Sequence, residues 1–190
     1  MNVYDFDQTI YQPDSSYAFF MYCMKRYPRA FLKTAPAMLL LCLRCLLKTA
    51  STKDLKEKVF AFLRYLPDPA AVVSDFWDVS LDGVESWYLA QKREDDLIIT
   101  ASPSFLVGEA GLRLGFRVIG TEMDIHSGRI EGENCHDREK VRRFYAAFPE
   151  GVIERFYSDS LSDTPLAEIA QEAFLVEKGK LSIWPGMDKA

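Results

Sequence analysis

The chain opens on Asn2-Val-Tyr-Asp-Phe6, an apolar run too short for a helix before the Asp5 to Asp7 acidic cluster, so the pattern predicts a buried strand that begins almost at once. Further strand-like runs, mostly β-branched or aromatic and bounded by Gly, Pro or acidic residues, fall at Asp96–Ala101, Arg117–Ile125, Val152–Tyr157 and Ala173–Val176. Helical spacing occupies the intervals, at Phe105–Leu114, Glu139–Phe148 and Asp163–Glu172. Strands alternating with helices predict an α/β fold, a Rossmann-like parallel sheet with helices on both faces.

The stretch from Asp14 to Arg93 breaks that rhythm, because it offers long helical patterns and no convincing strand. It reads as an inserted α-helical cap over 14–93, with residues 1–13 and 94–190 forming the α/β core. Helices are expected at Ser15–Tyr27, Ala30–Lys48, Thr52–Leu66, where Leu55, Val59, Phe62, Leu63 and Leu66 recur at helical spacing, and Ala70–Lys92 beyond Pro67 and Pro69. The most apolar stretch, Ala30–Lys48, has a charge-free core of only Thr34–Leu43, interrupted by Pro36. A span needs about 20 mainly apolar residues. The stretch is therefore expected to be a buried helix, with an interfacial one beside the headgroups as the alternative.

Charge sharpens the division. Across 190 residues, 23 Lys and Arg face 28 Asp and Glu, for a net charge of −5. Between Phe20 and Leu66, however, ten cations meet only Asp54 and Glu57, a local balance of +8 that leaves −13 elsewhere. The overall acidity argues against nucleic acid as a partner, while the basic stretch makes peripheral membrane contact through the cap an expectation. Four widely spaced cysteines and the absence of a secretory pattern at the start predict a reducing cytoplasm. Nothing in the pattern implies an obligate protein partner.

Four short clusters carry candidate chemistry, each where a strand would hand over to a helix, the edge at which open α/β sheets build their sites. Asp5-Phe6-Asp7-Gln8-Thr9 places two carboxylates on alternate positions, which share a side if the chain is extended. Thr100-Ala101-Ser102 ends a strand and leads into a helix, where backbone N–H groups favour an anion. Lys140 stands early in a helix, and Ser158-Asp159-Ser160-Leu161-Ser162-Asp163 adds a second carboxylate pair after a strand.

Together these clusters resemble the four motifs of the haloacid dehalogenase superfamily, in its phosphoserine phosphatase-like branch: DFDQT is similar to DxDxT, IITAS to the strand-ending Ser/Thr, REKV to the Lys motif and SDSLSD to GDxxxD. Ser158 stands where the pattern has Gly, and Gln8 where a small residue is common. ITASPSFLV, CHDREKV and YSDSLSDTP, with the apolar and cation-flanked early cap, are most similar to the bacterial phosphatidylglycerophosphatases of that superfamily. The resemblance implies a phosphomonoester substrate, lipid-linked through the latter group, with Asp5 as nucleophile, Asp7 as acid and base, Thr100, Ala101, Ser102 and Lys140 on the phosphate, and Mg²⁺ held by Asp5, Asp7 through its carbonyl, Asp159 and Asp163.

Charge is consistent with that assignment. The four aspartates sum to −4, Mg²⁺ and Lys140 return +3, and protonating Asp7 brings the site to zero before a dianion arrives; crowded carboxylates favour that protonation. The dull readings of other residues stand beside it: Asp14 as the N-cap of the first cap helix, Cys42 and Cys45 as buried thiols, His126 and His136 as loop residues, and Tyr17, Phe19, Phe20, Tyr22 and Tyr27 as cap packing. A soluble phosphoserine-type phosphatase is the alternative within enzymes, and a phospho-acceptor signalling domain the alternative outside them.

Overall fold

The structure, a computed structural model, describes residues 1–36 and 51–187. Six strands form one sheet in the order β3-β2-β1-β4-β5-β6: β1 is Asn2–Tyr4, β2 Leu97–Pro103, β3 Arg117–Thr121, β4 Ile153–Ser158, β5 Ala170–Glu177 and β6 Lys180–Ile183. The first five run parallel and β6 is antiparallel to β5. Central β1 is three residues long and wholly buried.

The period of two sorts the strand side chains onto opposite faces. Val3, Leu97, Ile99 and Phe156 pack with Phe144, Leu166, Ala167 and Trp184 on one face. Tyr4, Ile98 and Tyr157 pack with Val72, Val73, Phe76, Trp77, Leu106, Val107 and Ala110 on the other. Helices α7 (Arg138–Ala147) and α8 (Thr164–Ala167) serve the first face; α4 (Pro69–Asp78) and α6 (Ser104–Leu114) serve the second. Register shows directly in the aromatics: Tyr4, Tyr157 and Phe174 are Cα partners across β1, β4 and β5, and their rings stack with centroids 4.7 and 5.0 Å apart. The α/β class with helices on both faces is the architecture found.

Between β1 and β2 the described residues give no strand to this sheet. It forms α1 (Ser15–Arg26), a helix α2 over residues 28–36, α3 (Thr52–Val59) continued by a 3₁₀ segment at Phe60–Tyr65, α4, a 3₁₀ turn at Leu81–Gly83 and α5 (Ser86–Gln91). The helix expected over Ala70–Lys92 is broken in its middle by tertiary contact. Gln12 N–H donates to the Gly83 carbonyl at 2.7 Å and Glu85 N–H to that of Ile10 at 2.9 Å. A Cβ on Gly83 would stand 2.2 Å from the Gln12 oxygen, so glycine is what allows this close approach.

Other boundaries move too. The helix expected at Asp163–Glu172 is a 3₁₀ turn (Leu161–Asp163) and the four-residue α8, because β5 already begins at Ala170, opposite Ile153. Strand β3 stops at Thr121 rather than Ile125; the Asp124 carboxylate takes the Ser127 N–H at 2.8 Å and turns the chain. β6 was not expected, and it returns from β5 through Lys178 and Gly179, both at positive φ (51° and 75°), as a two-residue hairpin requires. Among the described residues no helix is long and apolar enough to cross a membrane; most of Thr34–Leu43, and Cys42 and Cys45, lie outside them.

Candidate active site

The carboxyl ends of β1, β2 and β4 and the first turn of α7 deliver the candidate residues to one place. Asp5, Asp7, Thr100, Ala101, Ser102, Lys140, Asp159 and Asp163 all line a cavity of about 310 Å³. Asp5 continues β1, its N–H donating to the Tyr157 carbonyl at 2.8 Å, so its side chain is fixed by the middle of the sheet. Lys140, 2% exposed, donates to Asp5 Oδ1 at 2.8 Å and to Asp163 Oδ2 at 2.7 Å. Ser158 Oγ donates to the same Asp163 oxygen at 2.7 Å. Thr9 ties the first cluster to the last, its hydroxyl donating to Asp159 Oδ1 at 3.3 Å and accepting the Asp159 N–H at 2.9 Å.

Asp7 leaves the strand direction and is held from two sides. Its Oδ1 accepts the Ser15 N–H at 2.6 Å, at the start of α1, and its Oδ2 accepts the Ser102 hydroxyl at 2.5 Å. The residue between Asp7 and Thr9, Gln8, has φ 58°, a left-handed conformation that re-aims the chain after Asp7. β2 runs on through Ser102 to Pro103, and the Ser102 N–H is satisfied by the Thr100 hydroxyl oxygen at 3.0 Å. The Thr100 hydroxyl proton therefore remains available to an incoming oxygen, whereas the Ser102 N–H does not in this arrangement.

Burial dominates the electrostatics. Asp5 is raised well above the usual carboxylate range by desolvation, against the pull of Lys140 and with the help of Asp163. Asp7 is pushed up to about 6, by burial first and by the Asp14 carboxylate next, while its bonds to Ser102 and Ser15 act in the opposite direction. For Lys140 burial acts to lower the ammonium, but Asp5 and Asp163 outweigh it and the net direction is upward, so it stays charged.

Four carboxylates facing one cavity form a hard-oxygen donor set. Asp163 Oδ1 is buried with no hydrogen-bond partner, an acceptor whose desolvation the chain does not offset. Both features fit Mg²⁺, which takes one or two carboxylates and keeps several waters. Among the described residues, however, no three acidic, His or Cys side chains are gathered closely enough to hold a metal ion by themselves, so an ion here would take much of its coordination from water. Asp163, with its unpartnered oxygen, and Asp5 and Asp159 on the same cavity are the carboxylates from which such an ion would draw its one or two protein ligands.

Several cavity residues escaped the sequence reading. Lys56, from α3, lines the cavity and donates to the Ala101 carbonyl at 2.6 Å and to Asn134 Oδ1 at 2.7 Å; burial lowers its ammonium, opposed by Asp7 and Asp14. Its only sequence signal was membership of the basic stretch. Ser16, whose hydroxyl lies 3.0 Å from that of Ser102, and His136, exposed at the mouth, also line it. Asp14 caps α1 as expected, accepting the Tyr17 N–H at 2.7 Å, and borders the cavity as well. A larger groove of about 920 Å³ next door, lined by Gln12, Glu85, Glu177 and Lys180, shares Gln8 and Asp159 but neither Asp5 nor Lys140.

With this site and topology in place, the chain belongs to the haloacid dehalogenase-like hydrolase family, which it matches over residues 3–168. Protein CicA of Caulobacter vibrioides is 28% identical over 193 aligned residues, covering 93% of this chain and 86% of that one. Among solved structures, a protein of unknown function from Bordetella pertussis Tohama I superposes with a TM-score of 0.71 at 22% identity, over 93% of this chain and 89% of its own. A phosphoserine phosphohydrolase-like protein from Francisella tularensis superposes at 0.57 with 12% identity, over 94% and 88%.

Proposed function

We propose that this hydrolase is a phosphomonoesterase working through an aspartyl phosphate on Asp5. The observation that carries the reading is the buried contact of Lys140 with both Asp5 and Asp163 in the cavity that also holds Asp7. A phosphomonoester dianion resists an anionic nucleophile unless fixed cations and donors surround the phosphorus. Lys140 supplies such a cation and orients the Asp5 carboxylate, while the Thr100 hydroxyl donates to a phosphoryl oxygen. Mg²⁺, drawing its protein ligands from among Asp5, Asp159 and Asp163, would supply the additional positive charge that shields the phosphate from these carboxylates.

In the first half-reaction an Asp5 carboxylate oxygen bonds to phosphorus, the bond to the leaving alkoxide breaks, and the Asp7 carboxyl proton passes to that alkoxide. The Ser15 N–H and Ser102 hydroxyl fix Asp7 for this transfer, and its raised pKa keeps a protonated fraction near neutrality. In the second, ionised Asp7 takes a proton from water, whose oxygen bonds to phosphorus as the acyl-phosphate P–O bond breaks and Asp5 is regenerated.

The finer proposal is a lipid-linked substrate of the phosphatidylglycerophosphate kind. It is supported by the motif resemblance and by the apolar, cation-flanked stretch between Phe20 and Leu66. Turnover of p-nitrophenyl phosphate tests the chemistry: Asp5→Asn should abolish it and EDTA should silence the wild type, whereas full activity in either case refutes the scheme. Parallel turnover of phosphatidylglycerophosphate, lysophosphatidate and phosphoserine tests the substrate, and a preference for phosphoserine would overturn the lipid assignment alone.

A further inference from the structure

We infer that the end of the helical segment where α1 meets α2 is a docking face for an anionic lipid surface. Arg26, Tyr27, Pro28, Arg29, Ala30 and Tyr65 enclose a shallow depression of about 280 Å³. Lys33 extends it, its ammonium 4.9 Å above the Tyr65 ring, and the Arg26 guanidinium lies 6.0 Å from the Tyr22 ring. Lys33 and Arg26 thus lie against aromatic faces, with the Asp75 carboxylate acting on Arg26 from beyond ion-pair distance. None of Lys25, Arg26, Arg29 or Lys33 makes an ion pair or a charged hydrogen bond with an acidic side chain among the described residues.

Between two of these cations stands an apolar side chain with no cover. Leu32 is 72% exposed, and Tyr65 is 44% exposed. Leu32 follows Arg29 by three positions and Lys33 follows it by four, so helical spacing puts each of them beside Arg29 on the helix surface. Unpaired cations around an exposed leucine and a tyrosine match the headgroup layer of an anionic bilayer, which takes apolar tips below and neutralises basic groups at its plane. A protein partner would be expected to find a core poorer in charge.

The charge distribution orients the whole molecule on such a plane. Lys25, Arg26, Arg29 and Lys33 would face the anionic surface, while the chain outside Phe20–Leu66, at −13, is repelled from it. Helix α1 joins the two features: its first turn holds Asp7 through Ser15, and its last turn carries Lys25 and Arg26. The inference does not depend on the phosphatase reading, because docking is read without turnover.

The test is cosedimentation of the full chain with vesicles of phosphatidylcholine alone and of three parts phosphatidylcholine to one part phosphatidylglycerol. Binding is expected only to the anionic vesicles and should weaken with added salt. Combined Arg26→Glu, Arg29→Glu and Lys33→Glu should weaken it by about tenfold or more, and Leu32→Ser by less, with p-nitrophenyl phosphate turnover and far-ultraviolet circular dichroism unchanged in both variants. Equal binding to both vesicles, wild-type binding by the triple variant, or heparin binding as tight as vesicle binding with no loss in Leu32→Ser would each overturn it.

Discussion

Cations in the two parts of this molecule keep different company. Around the sheet, Arg113, Lys140, Arg142, Arg143 and Arg155 each meet a carboxylate within ion-pair distance, and of these Lys140 is the buried one. In the helical segment, Lys25, Arg26, Arg29 and Lys33 meet none among the described residues, and Lys56 reaches into the cavity to bond only a carbonyl and an amide oxygen. The difference teaches what each set is for. A buried paired charge is committed to the fold and its chemistry, since losing one partner strands the other; an unpaired cation is free to meet an anion brought from outside.

The largest effect should come from breaking the most committed pair. Lys140→Met leaves Asp5 and Asp163 buried without their cation, so chemical denaturation should report a loss of about 3–5 kcal/mol. Phosphatase turnover should fall by roughly 10³-fold, read as kcat. An unchanged midpoint of unfolding would show that the pair is not what holds the carboxylates.

Asp7→Asn should cut turnover by about 10²–10⁴-fold and yet stabilise the fold in metal-free buffer. A carboxyl raised from its unfolded 3.8 to about 6 favours the folded state when protonated. That contribution is present below about 4 and lost as the pH rises through 6. The uncharged amide should thus stabilise the protein at pH 8 by up to about 3 kcal/mol and by almost nothing at pH 4, as urea unfolding at the two pH values would report.

Smaller changes sharpen the contrast. Lys56→Met removes a cavity cation without breaking any ion pair, and should raise KM for a phosphomonoester about tenfold with kcat nearly intact. Ser158→Gly removes one hydroxyl from Asp163 and should cost about 1 kcal/mol of stability; a gain would mean that the hydroxyl strains the loop.

Much of the sheet was legible because runs such as DLIITA and VIERFY are β-branched or aromatic and closed by acidic or turn residues. The spacing of Asp5 and Asp7, the hydroxyl after the second strand and the closing acidic pair were legible for the same local reason. What escaped was set by contacts distant in sequence. Gly83 splits a helix only because Gln12 passes beside it, and β6 exposes all four of its residues, so it lacked a buried stripe. Lys56 looked like any solvated lysine on a polar helix, and Ser158 like a departure from a motif until its bond to Asp163 gave it a part.

Asp5 is the proposed acceptor of the phosphoryl group, and an acyl phosphate on it can be trapped. Borohydride added during steady turnover reduces an acyl phosphate to an alcohol, and peptide mass spectrometry then locates the altered residue. Conversion of Asp5 to homoserine, absent without substrate, is the result predicted here. Continued multiple turnover with position 5 unmodified, or reduction at another aspartate, would contradict it.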